Sequence, residues 1–176
     1  MNITAGILAV PLALSISPRL AAQHPSMPPG MTHEEHLAQL ARAAEMKARG
    51  AAAMGFDQDA AVHHFLLTRE GGIILVEATS ASDAATRDAV RAHLRTIAAD
   101  FAAGNFQAPL ATHAETPPGV PLMRAWKSAI TYTFELTSNG GQVRIVTSTA
   151  DVRNAIHAFL RYQIVEHKTG DPLDVP

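Results

Sequence analysis

The sequence predicts an α+β fold: a two-layer sandwich of a four-stranded antiparallel sheet with two helices packed on one face, preceded by an N-terminal helix. Three observations predict it. Residues 63–106 and 132–171 read as two copies of one strand–strand–helix pattern. Each copy places a Gly-Gly pair between two β-rich runs, as a hairpin does. Each pair of runs is followed by an apolar stripe of helical period.

In chain order, residues 3–16 form an apolar run, ITAGILAVPLALSI, interrupted by Pro11. The run is too short to span a bilayer, which takes roughly 20 residues, and has the length of the apolar region of a secretory signal. Leu20 and Ala22 occupy the positions a signal peptidase reads, so residues 1–22 are expected to be a signal peptide. The mature chain is then periplasmic or secreted, with no membrane span after cleavage. No Lys or Arg precedes the run, which leaves the positive charge to the α-amino group or to a start further upstream.

Residues 23–50 read as a Pro-rich leader and one helix, from about Thr32 to Arg49. Thr32 with Glu35 makes a capping box, and Gly50 is the expected stop. His24, Met27, Met31 and His33 lie in or beside the leader, and Met with His suits copper. His33 and His36, three apart, share a helix face in a first turn that Glu34 and Glu35 mark as solvated.

Residues 51–176 form the duplicated domain. Copy one opens HHFLLTREGGIILVEATS and copy two YTFELTSNGGQVRIVTST. Phe65 aligns with Phe134, Leu67 with Leu136, Gly71-Gly72 with Gly140-Gly141, and Ile74 and Val76 with Val143 and Ile145. The helices are expected over about Ser82–Ala103 and Asp151–Lys168, with Gly104 and Gly170 as stops. Val90, Leu94, Ile97 and Phe101 share a face of the first, and Val152, Ile156, Phe159 and Leu160 a face of the second. In the third strand Ile130, Tyr132, Phe134 and Leu136 alternate with polar residues. The linker at 107–125 holds Pro109, Pro117, Pro118 and Pro121, which argue against a helix through it; an irregular connection this long is often functional.

Composition narrows the function classes. The 176 residues fit one domain, and 47% apolar content is enough for a core. A net charge of −2 without a basic stripe argues against nucleic-acid binding. The absence of Cys excludes disulfides, zinc–thiolate sites and thiol nucleophiles. Nine histidines are the one excess with chemical meaning, since imidazole ligates metals and carries protons.

The differences between the copies locate a candidate site. Gln163 and His167 stand where the first helix has Ile97 and Phe101, and His63 stands where the third strand has Tyr132. All three are expected on the inner face, converging at one end of the sheet–helix interface as a pocket for a metal or small ligand, or else as a self-satisfied polar cluster. On the outer face, His64, Leu66, Ile73 and Leu75 make an apolar half. It is expected to be covered by the N-terminal helix and linker, or failing that by a homodimer partner.

The strings MGFDQDAAVHHFLLT at 54–68, HAETPPGVPLM at 113–123 and AIHAFLRYQIVEHKTGDP at 155–172 together resemble an uncharacterised family of small secreted bacterial proteins. Ala114 departs from the resemblance, standing where Asp is expected. Some members carry the label aspartate carbamoyltransferase, which we reject for this chain: that fold needs two α/β domains and a phosphate-binding loop that the sequence lacks. The resemblance implies no mechanism, but it directs attention to Asp57, His63, His64, His113, Met123, His157 and His167.

The sequence thus points to an exported binding or accessory protein that holds a transition metal, copper favoured. The candidate metal ligands are His63, His64, His113, Met123 and His167, with Asp57, Gln163 and His157 as pocket residues. The alternatives are a non-catalytic interaction module or homodimer using the outer sheet face, and a small acid–base enzyme using Asp57, His63 or His113. No catalytic signature is specific enough to name a reaction.

Overall fold

The computed structural model describes residues 28–176. The expected signal peptide at 1–22, with His24 and Met27 of the leader, lies outside the described residues. The first helix, α1, runs His33–Met54. Thr32 caps it reciprocally: its hydroxyl accepts from the Glu35 N–H at 3.2 Å, and the Glu35 carboxylate accepts from the Thr32 N–H at 2.8 Å. Gly50 does not stop the helix. It is buried inside it, and the stop is Gly55, in the left-handed region at φ 77°. A helical glycine costs only about 1 kcal/mol, and here the missing side chain makes room, since a Cβ on Gly50 would stand 1.9 Å from Gln58 Nε2.

A 3₁₀ turn at Gln58–Ala60 leads into β1 (Ala61–Thr68), β2 (Gly71–Ala78) and α2 (Ala84–Ala103). After α3 (Gln107–His113) and α4 (Val120–Ala125) come β3 (Thr131–Leu136), β4 (Gly140–Val146) and α5 (Ala150–His167). The sheet order is β1-β2-β4-β3, every neighbouring pair antiparallel. The two hairpins therefore meet along β2 and β4, with Ile74 opposite Val143. The chain is α+β, as the repeat predicts.

The Gly-Gly pairs do not form the turns. They are the first residues of β2 and β4, under the helices. A Cβ on Gly72 would lie 2.1 Å from Leu160 Cδ1, and one on Gly141 2.6 Å from the Phe134 ring. The missing side chains let large apolar groups close over the sheet.

Helices α2 and α5 lie across the inner face, α2 over β2, β4 and β3 and α5 over β1 and β2. Phe65, Leu67, Ile74, Val76, Val143 and Ile145 from the strands meet Val90, Leu94, Ile97 and Phe101 of α2 and Val152, Ile156, Phe159 and Leu160 of α5 in one core. Full burial of each such side chain is worth roughly 1.5–3 kcal/mol. Leu136, expected inside, ends edge strand β3 at 62% exposure. The last helix ends at His167 and is capped by Lys168 in the left-handed region, two residues before the expected Gly170.

Two further expectations are corrected. The linker is not irregular: it holds α3 and α4. Pro109 is the third residue of α3 and Pro121 the second of α4, first-turn positions whose N–H has no helical partner anyway. Nor do α1 and the linker cover the outer sheet face. Helix α1 packs on α3 and the 58–60 turn, and α4 packs on α5, all on the helical side. Leu66, Ile73 and Leu75 stay half-buried on the outer face. The C-terminal segment guards the β1 edge instead, where the Asp171 carboxylate accepts from the Phe65 N–H at 2.9 Å, and it is tied to α5 where the Leu173 carbonyl accepts from Arg161 at 2.8 Å.

Candidate functional site

A cavity of about 70 Å³ lies between the inner sheet face and helices α2, α3 and α5, beside the end of α1. Six polar side chains from four elements line it; Thr112 of α3 spends its hydroxyl on the Ala108 carbonyl, and the local pattern of each element explains the place of the other five. His63 is on the inward parity of β1, in step with Phe65 and Leu67. His93 lies three residues after Val90 and four before Ile97, on the flank of the α2 stripe. His113 is the last residue of α3. Gln163 and His167 lie one turn apart on the inward stripe of α5. Met54, Phe65, Ile97, Phe101 and Phe159 supply much of the apolar wall.

The rings are close. His63 and His167 stack at 6.0 Å between centroids with 10° between planes, and His113 meets His167 edge-on at 5.1 Å. Phe56 stands 6.2 Å from His63 and 5.9 Å from His93. Gln163 Oε1 accepts from His113 Nε2 at 3.0 Å. Three buried nitrogens of these side chains have no partner among the described residues: His63 Nε2, His113 Nδ1 and Gln163 Nε2.

Burial keeps the imidazoles uncharged. It pushes His63 down to about 4, aided by His93 and His64, and His93 alone to about 4. His167 falls to about 3 through burial, with His113 and His63 adding repulsion. Burial also lowers His113, against the Gln163 hydrogen bond and the Glu166 and Glu115 carboxylates, which favour its charged form. At neutral pH the cavity therefore presents neutral imidazoles, each with one N–H and one lone pair. Among the described residues, no Asp, Glu, Lys or Arg lines it.

Two larger clefts open beneath α1. One, of about 450 Å³, is bounded by His63 and His167 with Lys47, Asp59, Glu166 and Lys168. The other, of about 540 Å³, is bounded by His113 with Arg42, Arg49, Glu115 and Glu166. His63, His113 and His167 thus stand between the apolar cavity and the charged clefts.

The structure brings together His63, His113, Gln163 and His167, and separates them from the other candidates. His64 points to the outer face, where its Nδ1 meets Asp171 at 2.8 Å. Asp57 caps the 58–60 turn by accepting from the Asp59 N–H. Met123 is fully buried in the core on α4 and lines no part of the cavity; among the described residues the methionine that does is Met54. His157, 7% exposed, ties α5 to the end of β1 through the Thr68 carbonyl at 2.9 Å. For these four, capping, packing and edge protection account for the residue type. Asp57 stands outside the cavity, away from the other two acid–base candidates His63 and His113, which line it.

His93 is not marked by the differences between the copies, because it lies on the flank of its helical stripe and not at the centre. Its spacing from Val90 and Ile97 is the signal that sequence does carry. Among the described residues, no group of three or more His, Asp or Glu is arranged to hold a metal ion. No protein-family model, curated protein or solved structure matches the chain.

Proposed function

We propose that the protein is an exported small-ligand binding protein whose ligand occupies the histidine-lined cavity between the sheet and the helices. The observation that carries this reading is the set of unpartnered nitrogens on His63, His113 and Gln163 around a void in an otherwise apolar core. Each buried polar group left without a partner costs roughly 1–3 kcal/mol. A ligand that meets those groups offsets that cost, whereas an apolar side chain at the same positions would have avoided it. The test is a small-molecule library screened by NMR against the full chain. Binding is expected to move the Ile97 methyl and His63 and His167 ring resonances together. A library that leaves all of them in place overturns the reading.

A transition metal, copper first, is the second reading. Its support is the contact of three uncharged imidazoles, His63, His113 and His167, because neutral imidazole is the form that ligates. Met54, not Met123, is the sulfur at hand. The rings would have to turn to converge on one ion. Elemental analysis of protein purified with copper tests it: near one ion per chain supports a metal site, and a stoichiometry far below one ends this reading.

A further inference from the structure

Resting on the cavity as a ligand pocket, we infer that its ligand is an uncharged molecule of about three to five non-hydrogen atoms, an apolar body bearing one group that both donates and accepts a hydrogen bond. Size, charge and polarity each come from the cavity wall.

Size follows from the volume. A single water needs about 10–15 Å³ of such space, and an apolar cavity of about 150 Å³ admits one benzene ring. The 70 Å³ of this cavity lies between them. It suits a short chain or a five-membered ring; a larger molecule must either push against Phe101 and Phe159, which meet edge-on at 5.9 Å, or extend past His63, His113 and His167 into the charged clefts outside.

Charge follows from what the wall lacks. Among the described residues no ionised side chain lines the cavity, and the imidazoles there are neutral. A carboxylate or ammonium would lose its water with no counter-ion in return, a cost that excludes most isolated charges from such sites. The ion-rich clefts outside, with Lys47, Asp59, Glu166 and Lys168, give charged solutes no reason to move inward.

Polarity follows from the unpartnered atoms. With His113 Nε2–H given to Gln163 Oε1, His113 Nδ1 keeps a lone pair and Gln163 Nε2 keeps its hydrogens. One side chain therefore accepts and its neighbour donates. A hydroxyl or an azole answers both, while a ketone or a thioether answers only the donor.

The test is an NMR titration of the full chain at pH 7 with 1-propanol, propionate, propylammonium and phenol, read at the Gln163 side-chain amide, the His63 and His113 rings and the Ile97 methyl. Saturable shifts with 1-propanol alone are expected. Gln163→Leu should weaken 1-propanol about tenfold, the effect of one hydrogen bond. Equal binding of propionate or propylammonium overturns the charge assignment, and tighter binding of phenol overturns the size assignment; the pocket itself survives both. Undiminished 1-propanol binding to folded Gln163→Leu overturns the hydrogen-bond assignment. Silence from all four probes, and from larger molecules at the same resonances, overturns the pocket and this inference together.

Discussion

His63, near the start of β1, and His167, the last residue of α5, stack with their ring planes 10° apart. Residues over a hundred positions apart in sequence thus share one face-to-face contact at the wall of the cavity. Both rings are uncharged, and that has a consequence for stability.

In the unfolded chain each of these histidines titrates near 6.5; in the fold His63 titrates near 4 and His167 near 3. Between those values the unfolded chain binds protons that the fold refuses, so stability is complete above about pH 6.5 and falls as pH drops through the window. His93 acts with the same sign. Urea unfolding at pH 7 and pH 4.5 should differ by on the order of 2 kcal/mol per buried histidine. His167→Leu should flatten that dependence, and an unchanged slope in the variant would contradict burial of that ring as its origin.

Gln163 is 4% exposed and spends its carbonyl on His113 while its amide goes unpaired. Gln163→Leu removes one unpartnered donor, a gain of about 1 kcal/mol, and strips His113 Nε2 of its acceptor, a loss of roughly 1–3 kcal/mol. The variant should lose no more than about 2 kcal/mol relative to the parent by chemical denaturation. A loss of several kcal/mol would mean that the amide is a structural strut.

The Asp171 carboxylate, 8% exposed, accepts from Thr169 Oγ1, the Phe65 N–H and His64 Nδ1. Burial pushes its carboxyl up, but those hydrogen bonds outweigh it and leave the group below the usual carboxylate range. Asp171→Ala should cost roughly 1–3 kcal/mol. Hydrogen exchange should quicken at the Phe65 amide on the freed β1 edge, and no change there would remove the proposed edge protection.

Gly119 caps α4 at φ 83°, and a Cβ there would sit 2.0 Å from the Ala155 carbonyl oxygen of α5. Gly119→Ala must strain the backbone and push α4 off α5. A loss of about 2 kcal/mol or more is expected, read as a lowered Tm. An unshifted Tm would show that α4 adapts freely.

The repeat made the sheet and its two covering helices legible, because hairpin and helix periodicities leave strong marks on sequence. Elements fixed by local backbone chemistry were harder to place. Gly50 looked like a stop but is packed against Gln58, a contact that depends on the turn after the helix. Pro109 and Pro121 looked like breakers but occupy first turns, where proline is harmless. The site was partly legible. Polar residues on an apolar stripe marked Gln163 and His167, but nothing local places His113 beside them, because α3 is brought there by tertiary packing. His64, Met123 and His157 shared the histidine and methionine signal while serving as edge, core and tie.

The seam between β2 and β4 also bears on how such a chain can arise. Each copy ends its hairpin on a strand whose open edge is completed by the equivalent strand of the other copy. What one unit lacks is therefore a second unit. The segment joining them acts as a tether that raises their effective concentration for each other. A bond cut between α3 and α4 would leave two fragments whose sheet edges still match, so the covalent link governs the rate of assembly more than the design of the sheet.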